Sequence, residues 1–171
     1  MSNRYSGNLR WYTLASDLLS YVNANTTSRF ERVVVTPGLI AWDGCDCGAL
    51  YLMVNQTYDC EDFPMQKVTN DLSDGCGAPY EASELVLQCM QCAPSPQGGA
   101  NAPTVEAEDA ASRILRRDAY EIRKAVRGWL CQQRNDDEIT DFILDVQIVQ
   151  GPSGGCVGTE LRFRVGLDME V

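Results

Sequence analysis

The chain alternates between two kinds of hydrophobic spacing. Residues 9–24, "LRWYTLASDLLSYVNA", place Trp11, Leu14, Ala15, Leu18, Leu19 and Val22 at intervals of three and one. That spacing lines one face of an amphipathic helix and leaves Arg10, Asp17 and Asn23 off the stripe. A second helix is predicted over about 105–133, with Thr104 as its cap and acidic residues from Glu106 to Asp109 in its first turns. Its stripe runs Ala111, Ile114, Leu115, Asp118, Ile122, Ala125, Val126 and Trp129, interrupted only by Asp118. Other segments keep a period of two or read as short β-branched runs. "FERVVVTPG" is a short strand stopped by Pro37-Gly38, and 49–58 is a buried strand after a turn or bulge at Trp42-Asp43-Gly44. In 80–92, Leu85, Leu87 and Cys89 face one way and Glu84, Val86, Gln88 and Met90 the other, as in a central strand. In 138–150, Phe142, Leu144, Val146 and Ile148 share a face. In 159–171, Leu161, Phe163, Val165 and Leu167 point inward and Arg162 and Arg164 outward. The order predicts an α+β fold: a mostly antiparallel sheet of about five strands with the N-terminal helix and the long helix packed on it. Residues 1–171 form a single domain, with long loops at about 59–79 and 93–104.

Charge and composition narrow the function classes. The 171 residues hold 14 Lys plus Arg and 24 Asp plus Glu, a formal charge of −10. Tight nucleic-acid binding needs a basic face, so this balance argues against a DNA-gripping protein. A surface that lets DNA slide past is compatible with it, because like charges repel. The basic residues Arg116, Arg117, Arg123, Lys124 and Arg127 gather on the outer face of the long helix, where pairing with acidic neighbours is the simplest reading. There is no apolar run of the ~20 residues a membrane span needs. The first 22 residues lack the apolar core and small-residue cleavage site of a signal peptide, so a soluble protein made in the cytosol is expected. There is no histidine, which removes Ser-His and Cys-His nucleophile systems and every His-containing metal site. Carboxylates such as Asp136, Asp137 and Glu138 read as a polar turn after a helix.

The eight cysteines, Cys45, Cys47, Cys60, Cys76, Cys89, Cys92, Cys131 and Cys156, leave three readings open. They are buried or free thiols, disulfides formed later in an oxidising setting, or zinc ligands. "CMQC" has C-x-x-C spacing, but it sits at a strand end and is followed by "AP", not by the helix a redox motif opens. A bond from Cys45 or Cys47 to Cys156 is one pairing the glycine-rich turns allow.

Residues 151–158, "GPSGGCVG", contain four glycines and raise the question of phosphate binding. A P-loop needs G-x-x-x-x-G-K-[ST] opening a helix, and a dinucleotide fingerprint needs G-x-G-x-x-G opening a helix. Here no lysine follows, and the next element alternates with period two. The glycines therefore read as a tight strand-to-strand connection supplying positive φ, bulges and close backbone approach.

Taken together, "RWYTLASDLLSYVNANT", "VVVTPGLIAWDGCDCGALYLMV", "LVLQCMQCAPSP" and "GPSGGCVGTELRFRVGL" resemble small virion proteins of tailed actinobacterial phages, of the tail-terminator or head-to-tail connector (neck) type. The resemblance covers nearly the whole chain, and "DGCDCG" and "GGCVG" are its most specific parts. It implies an α+β subunit of a hexameric ring that caps the tail tube and joins it to the head connector. It implies no catalytic, cofactor or metal site. The partners implied are further copies of the chain, the major tail tube protein, the head-tail connector protein, and genomic DNA passing through the lumen without specific binding; no membrane is involved. Assembly in the host cytoplasm and a final place in the virion neck follow. Contacts with neighbours would come from the two long loops, including Phe63 and Pro64, from Pro152, Gly154 and Gly155, and from Arg162 and Arg164. A head-closure or adaptor protein is the alternative within this class, and a small cysteine-rich metal-binding protein is the alternative outside it.

Overall fold

The computed structural model describes residues 4–38, 48–66, 80–96, 98 and 101–168. The described elements are α1 (Arg10–Ala24), β1 (Arg32–Thr36), β2 (Ala49–Cys60), β3 (Tyr80–Cys92), α2 (Val105–Asn135), β4 (Asp141–Ser153) and β5 (Cys156–Asp168). The strands form one five-stranded sheet in the order β1-β2-β3-β5-β4, in which β1 runs parallel to β2 and every other pair is antiparallel. The α+β expectation is met, and β3 is the central strand. The predicted turn at 42–44, Cys45, Cys47 and Cys76 lie outside the described residues, as do positions 67–79 of the first predicted loop.

Alternation along the strands sorts the sheet into two faces. Leu50 and Leu52 of β2, Leu85, Leu87 and Cys89 of β3, and Leu161, Phe163, Val165 and Leu167 of β5 form one continuous apolar layer. Leu14, Leu18, Leu19 and Val22 of α1 and Ile122, Val126, Trp129 and Leu130 of α2 close over it. Burying each such side chain stabilises the fold by about 1.5–3 kcal/mol before ordering entropy is subtracted. Thr104 caps α2 as predicted, its side chain accepting from the Ala107 N–H at 3.2 Å.

Four expectations need correction. Arg10 lies off the α1 stripe but is buried: it donates to Glu81 and to the Asp168 carbonyl, and the Trp11 indole N–H also donates to Glu81. Asp118 does not interrupt the α2 stripe but is wholly buried within it, accepting from Ser28 at 2.8 and 2.9 Å, from Gln91 and from Arg117. An uncompensated carboxylate there would be strongly unfavourable, so these donors are what make the position tolerable. Ile114, placed on the stripe, is exposed. The fourth concerns β4. Leu144 pairs with Phe163 but Gln147 pairs with Leu161, so Asp145 and Val146 occupy the space of one residue in a β-bulge. Beyond the bulge the phase reverses. Gln147 now faces the helices, donating to the Ala119 carbonyl of α2 at 2.9 Å, while Val146 and Ile148 are exposed. Asp145 holds the bulge from both sides: its carboxylate takes two hydrogen bonds from Arg164 and its carbonyl one from Arg123.

The glycine segment is the β4–β5 hairpin. Gly154 and Gly155 form a two-residue turn with φ of 56° and 79°, the geometry of a type I′ connection. Gly151, at φ 92°, sits in a second register shift between Gln150 and Ser153. A Cβ added there would lie 2.7 Å from the Cys156 carbonyl oxygen. Gly151→Ala is expected to lower stability by about 2–4 kcal/mol, combining left-handed strain with a backbone collision. Urea denaturation of the two proteins measures it; equal midpoints would contradict the described turn.

Candidate interaction surface

The face of the sheet away from the helices is polar at one end and apolar at the other. Ala49, Tyr51, Met90 and Cys156 make a second small buried cluster on it. Beside them the side chain of Glu160, almost wholly buried, accepts from Gln88 at 2.9 Å, from Gln150 and from Arg162 at 2.7 Å. Arg162 also lies 3.8 Å from Glu84, to which Asn55 donates. Arg164 holds Asp145 through both carboxylate oxygens. The hydrogen bond and charge of Glu160 raise the Arg162 pKa, and those of Asp145 raise that of Arg164. The two predicted interface arginines thus point off the core face as expected and pair with carboxylates of their own chain. The strands bring these groups together through cross-strand neighbours on one face, which is the unit of sheet stabilisation.

The other predicted site residues fall into two places. Phe63 and Pro64 follow β2 in a short turn closed by a bridge between Asp62 and Met65. The Phe63 ring lies on Gly166, where an added Cβ would meet it at 2.9 Å. Tyr58 donates to the Pro64 carbonyl at 3.1 Å and lies against Arg164, and its burial raises the phenol pKa. Phe63, Pro64 and Arg164 therefore share one end of this face. Pro152, Gly154 and Gly155 are instead exposed at the hairpin tip. Pro152 there lines an open groove of about 490 Å³ with Pro94, Pro96, Pro103, Leu115 and Val157. The Ala93 N–H donates to the Gly155 carbonyl, tying the proline-rich segment to the tip. The 93–104 loop predicted from composition is thus anchored at its start to the hairpin.

The described cysteines divide between two chemistries. Cys60, Cys89 and Cys131 are free thiols, whereas Cys92 and Cys156 are each held in a disulfide. Burial, with the charge of Asp118 added, pushes the Cys89 thiol up to about 12, and burial raises that of Cys60 too. Neither is an activated nucleophile. Cys89 belongs to the helix-facing layer, and Cys92, three positions on along the same strand, faces the other way. The C-x-x-C spacing that suggests half a zinc site in a turn does not make one in a strand. Among the described residues no cluster of three Cys, Asp or Glu side chains is placed to hold a metal ion. No described helix is long and apolar enough to cross a membrane.

The buried salt links and the edge of β4 escape sequence reading for different reasons. Asp118 and Glu160 look like surface charges because their donors, Ser28, Gln91, Gln88 and Gln150, lie on other elements. The bulge at Asp145–Val146 carries no glycine or proline to announce it.

Alkylation of the denatured but unreduced protein is expected to modify Cys60, Cys89 and Cys131 and to spare Cys92 and Cys156. Peptide mapping that found Cys92 and Cys156 modified to the same extent as Cys60 would contradict the disulfides.

No protein-family model matches the chain, and no curated protein matches it at a significant level.

Proposed function

We propose that this chain is a structural protein of a phage neck, a tail terminator whose copies form a hexameric ring capping the tail tube and joining it to the head connector. The observation that carries the reading is architectural. The chain has an N-terminal helix, a single sheet and a second, long helix, and the sequence resemblance implies a subunit with these parts. The exposed hairpin tip and the Phe63-Pro64 turn offer edges for protein neighbours. A formal charge of −10 per copy suits a ring around a DNA path, since it repels the phosphate backbone instead of adsorbing it. In this reading the protein assembles in the host cytoplasm and ends in the virion, bound to its own copies, to the major tail tube protein and to the head-tail connector protein.

The metal-binding alternative is disfavoured by the opposed directions of Cys89 and Cys92. The head-closure or adaptor alternative is distinguished from the terminator by its partner.

The deciding experiment adds the purified chain to polymerising tail tube protein. A terminator is expected to bind tube ends and halt elongation, seen as a fixed length distribution by electron microscopy. Unchanged tube growth, with binding to the portal-side ring instead, would replace this reading with the adaptor.

A further inference from the structure

The side of the molecule formed by β4 and α2 combines two features that an isolated chain has no use for. The first is the outer edge of β4. Among the described residues no strand pairs beyond it. From Val146 to Ser153 it reads "VQIVQGPS", with no charged residue. Val146, Ile148 and Val149 are 53%, 40% and 46% exposed. Edge strands of soluble proteins are ordinarily guarded by lysines, inward charges or short length, because a free row of N–H and C=O groups is a template for another strand. This edge belongs to a 13-residue strand, and its protecting Pro152 comes only at the hairpin end.

The second feature is a ridge of cations beside that edge. Ala119 and Arg123 of α2 meet β4 directly. Arg116 and Arg127 stand a turn to either side of them, at the helical spacing that shares a face. Both are exposed, and neither forms a hydrogen bond or ion pair with another described residue. Residues 113–135 hold seven Lys plus Arg against two Asp plus Glu, a balance of +5; subtracting this from −10 leaves −15 for the rest of the chain. The rest of the same protein is therefore net acidic, of the sign that complements this ridge. Pairing two β4 edges about a two-fold axis would set ridge beside ridge, with like charges opposed. A head-to-tail contact avoids that and is the kind that closes into rings.

We infer that the β4 edge and the Arg116–Arg123–Arg127 ridge are the surface on which a second copy of the chain docks head to tail, its backbone extending the sheet and its acidic surface meeting the arginines. This inference deepens the ring reading given above and rests on it. Contact strength should fall with added salt, since the ridge side of it is ionic.

The test uses the full chain, native mass spectrometry and light scattering over a concentration series. It compares the unaltered protein with two double variants, Val146→Lys with Ile148→Lys, and Arg116→Glu with Arg127→Glu. All four positions are exposed, so the fold is retained, which thermal melting checks. If the lysine pair lowers the melting temperature, the arginine reversal alone carries the test. The unaltered chain is expected to assemble, and each variant to need at least about tenfold more protein to do so. Variants that assemble like the unaltered chain would overturn this contact and leave the ring reading standing. An unaltered chain that stays monomeric throughout overturns both. Arginine-dependent binding of the monomer to a short DNA duplex would overturn the inference in favour of a nucleic-acid surface.

Discussion

A β-strand turns successive side chains to opposite faces, and almost everything in this molecule depends on how that alternation is kept or broken. Along β3 and β5 it is kept for 13 residues each. Leucines, Phe163 and Val165 therefore form one unbroken layer for the two helices, and Glu84, Gln88, Glu160, Arg162 and Arg164 form a polar ladder on the reverse. A one-residue slip would exchange these two sets, so register is strongly specified. In β4 the alternation is broken at Asp145–Val146 and again beside Gly151, and the first break turns Val146 and Ile148 to the exposed side.

Both faces use buried charge to fix position. Asp118 joins α2 to the segment after α1 through Ser28 and to the end of β3 through Gln91. Glu81 ties Arg10 and Trp11 of α1 to β3. Glu160 gathers donors from β3, β4 and β5. Buried ionic groups are weak contributors to net stability compared with apolar replacements, but removing one partner leaves the others uncompensated. They therefore penalise wrong packings of helix on sheet more than they reward the right one.

Much of this was legible in the sequence. The 3.6-residue period of α1, the Thr104 cap, the alternation of β3 and β5 and the glycines of the hairpin each reflect a local rule, and each predicted helix and strand is present within a few residues. What was hidden was non-local. Arg10 and Asp118 look like surface or break positions in the sequence because helix spacing cannot reveal a partner on another element. The outward turn of Ile148 is hidden because strict alternation is the simplest pattern over 138–150, and this bulge contains no glycine or proline. For the candidate surface, the sequence placed Arg162 and Arg164 off the core face but not their carboxylate partners. It suggested the flexible 93–104 connection but not its tie to Gly155.

The bulge also bears on function. Departures from local rules tend to mark strained or functional sites, and here the departure exposes Val146 and Ile148 beside Arg116 and Arg127, which pair with no other described residue. If copies of the chain associate as inferred, the β4 backbone must become hydrogen-bonded on its outer side. Amide hydrogen exchange, followed for residues 146–150 in dilute and in assembled protein, tests this most directly. The account predicts fast exchange of the outward-facing amides when the chain is dilute and marked slowing on assembly, with the amides of β3 unchanged. Equally fast exchange of 146–150 in both states, from a sample shown to be assembled, would contradict it.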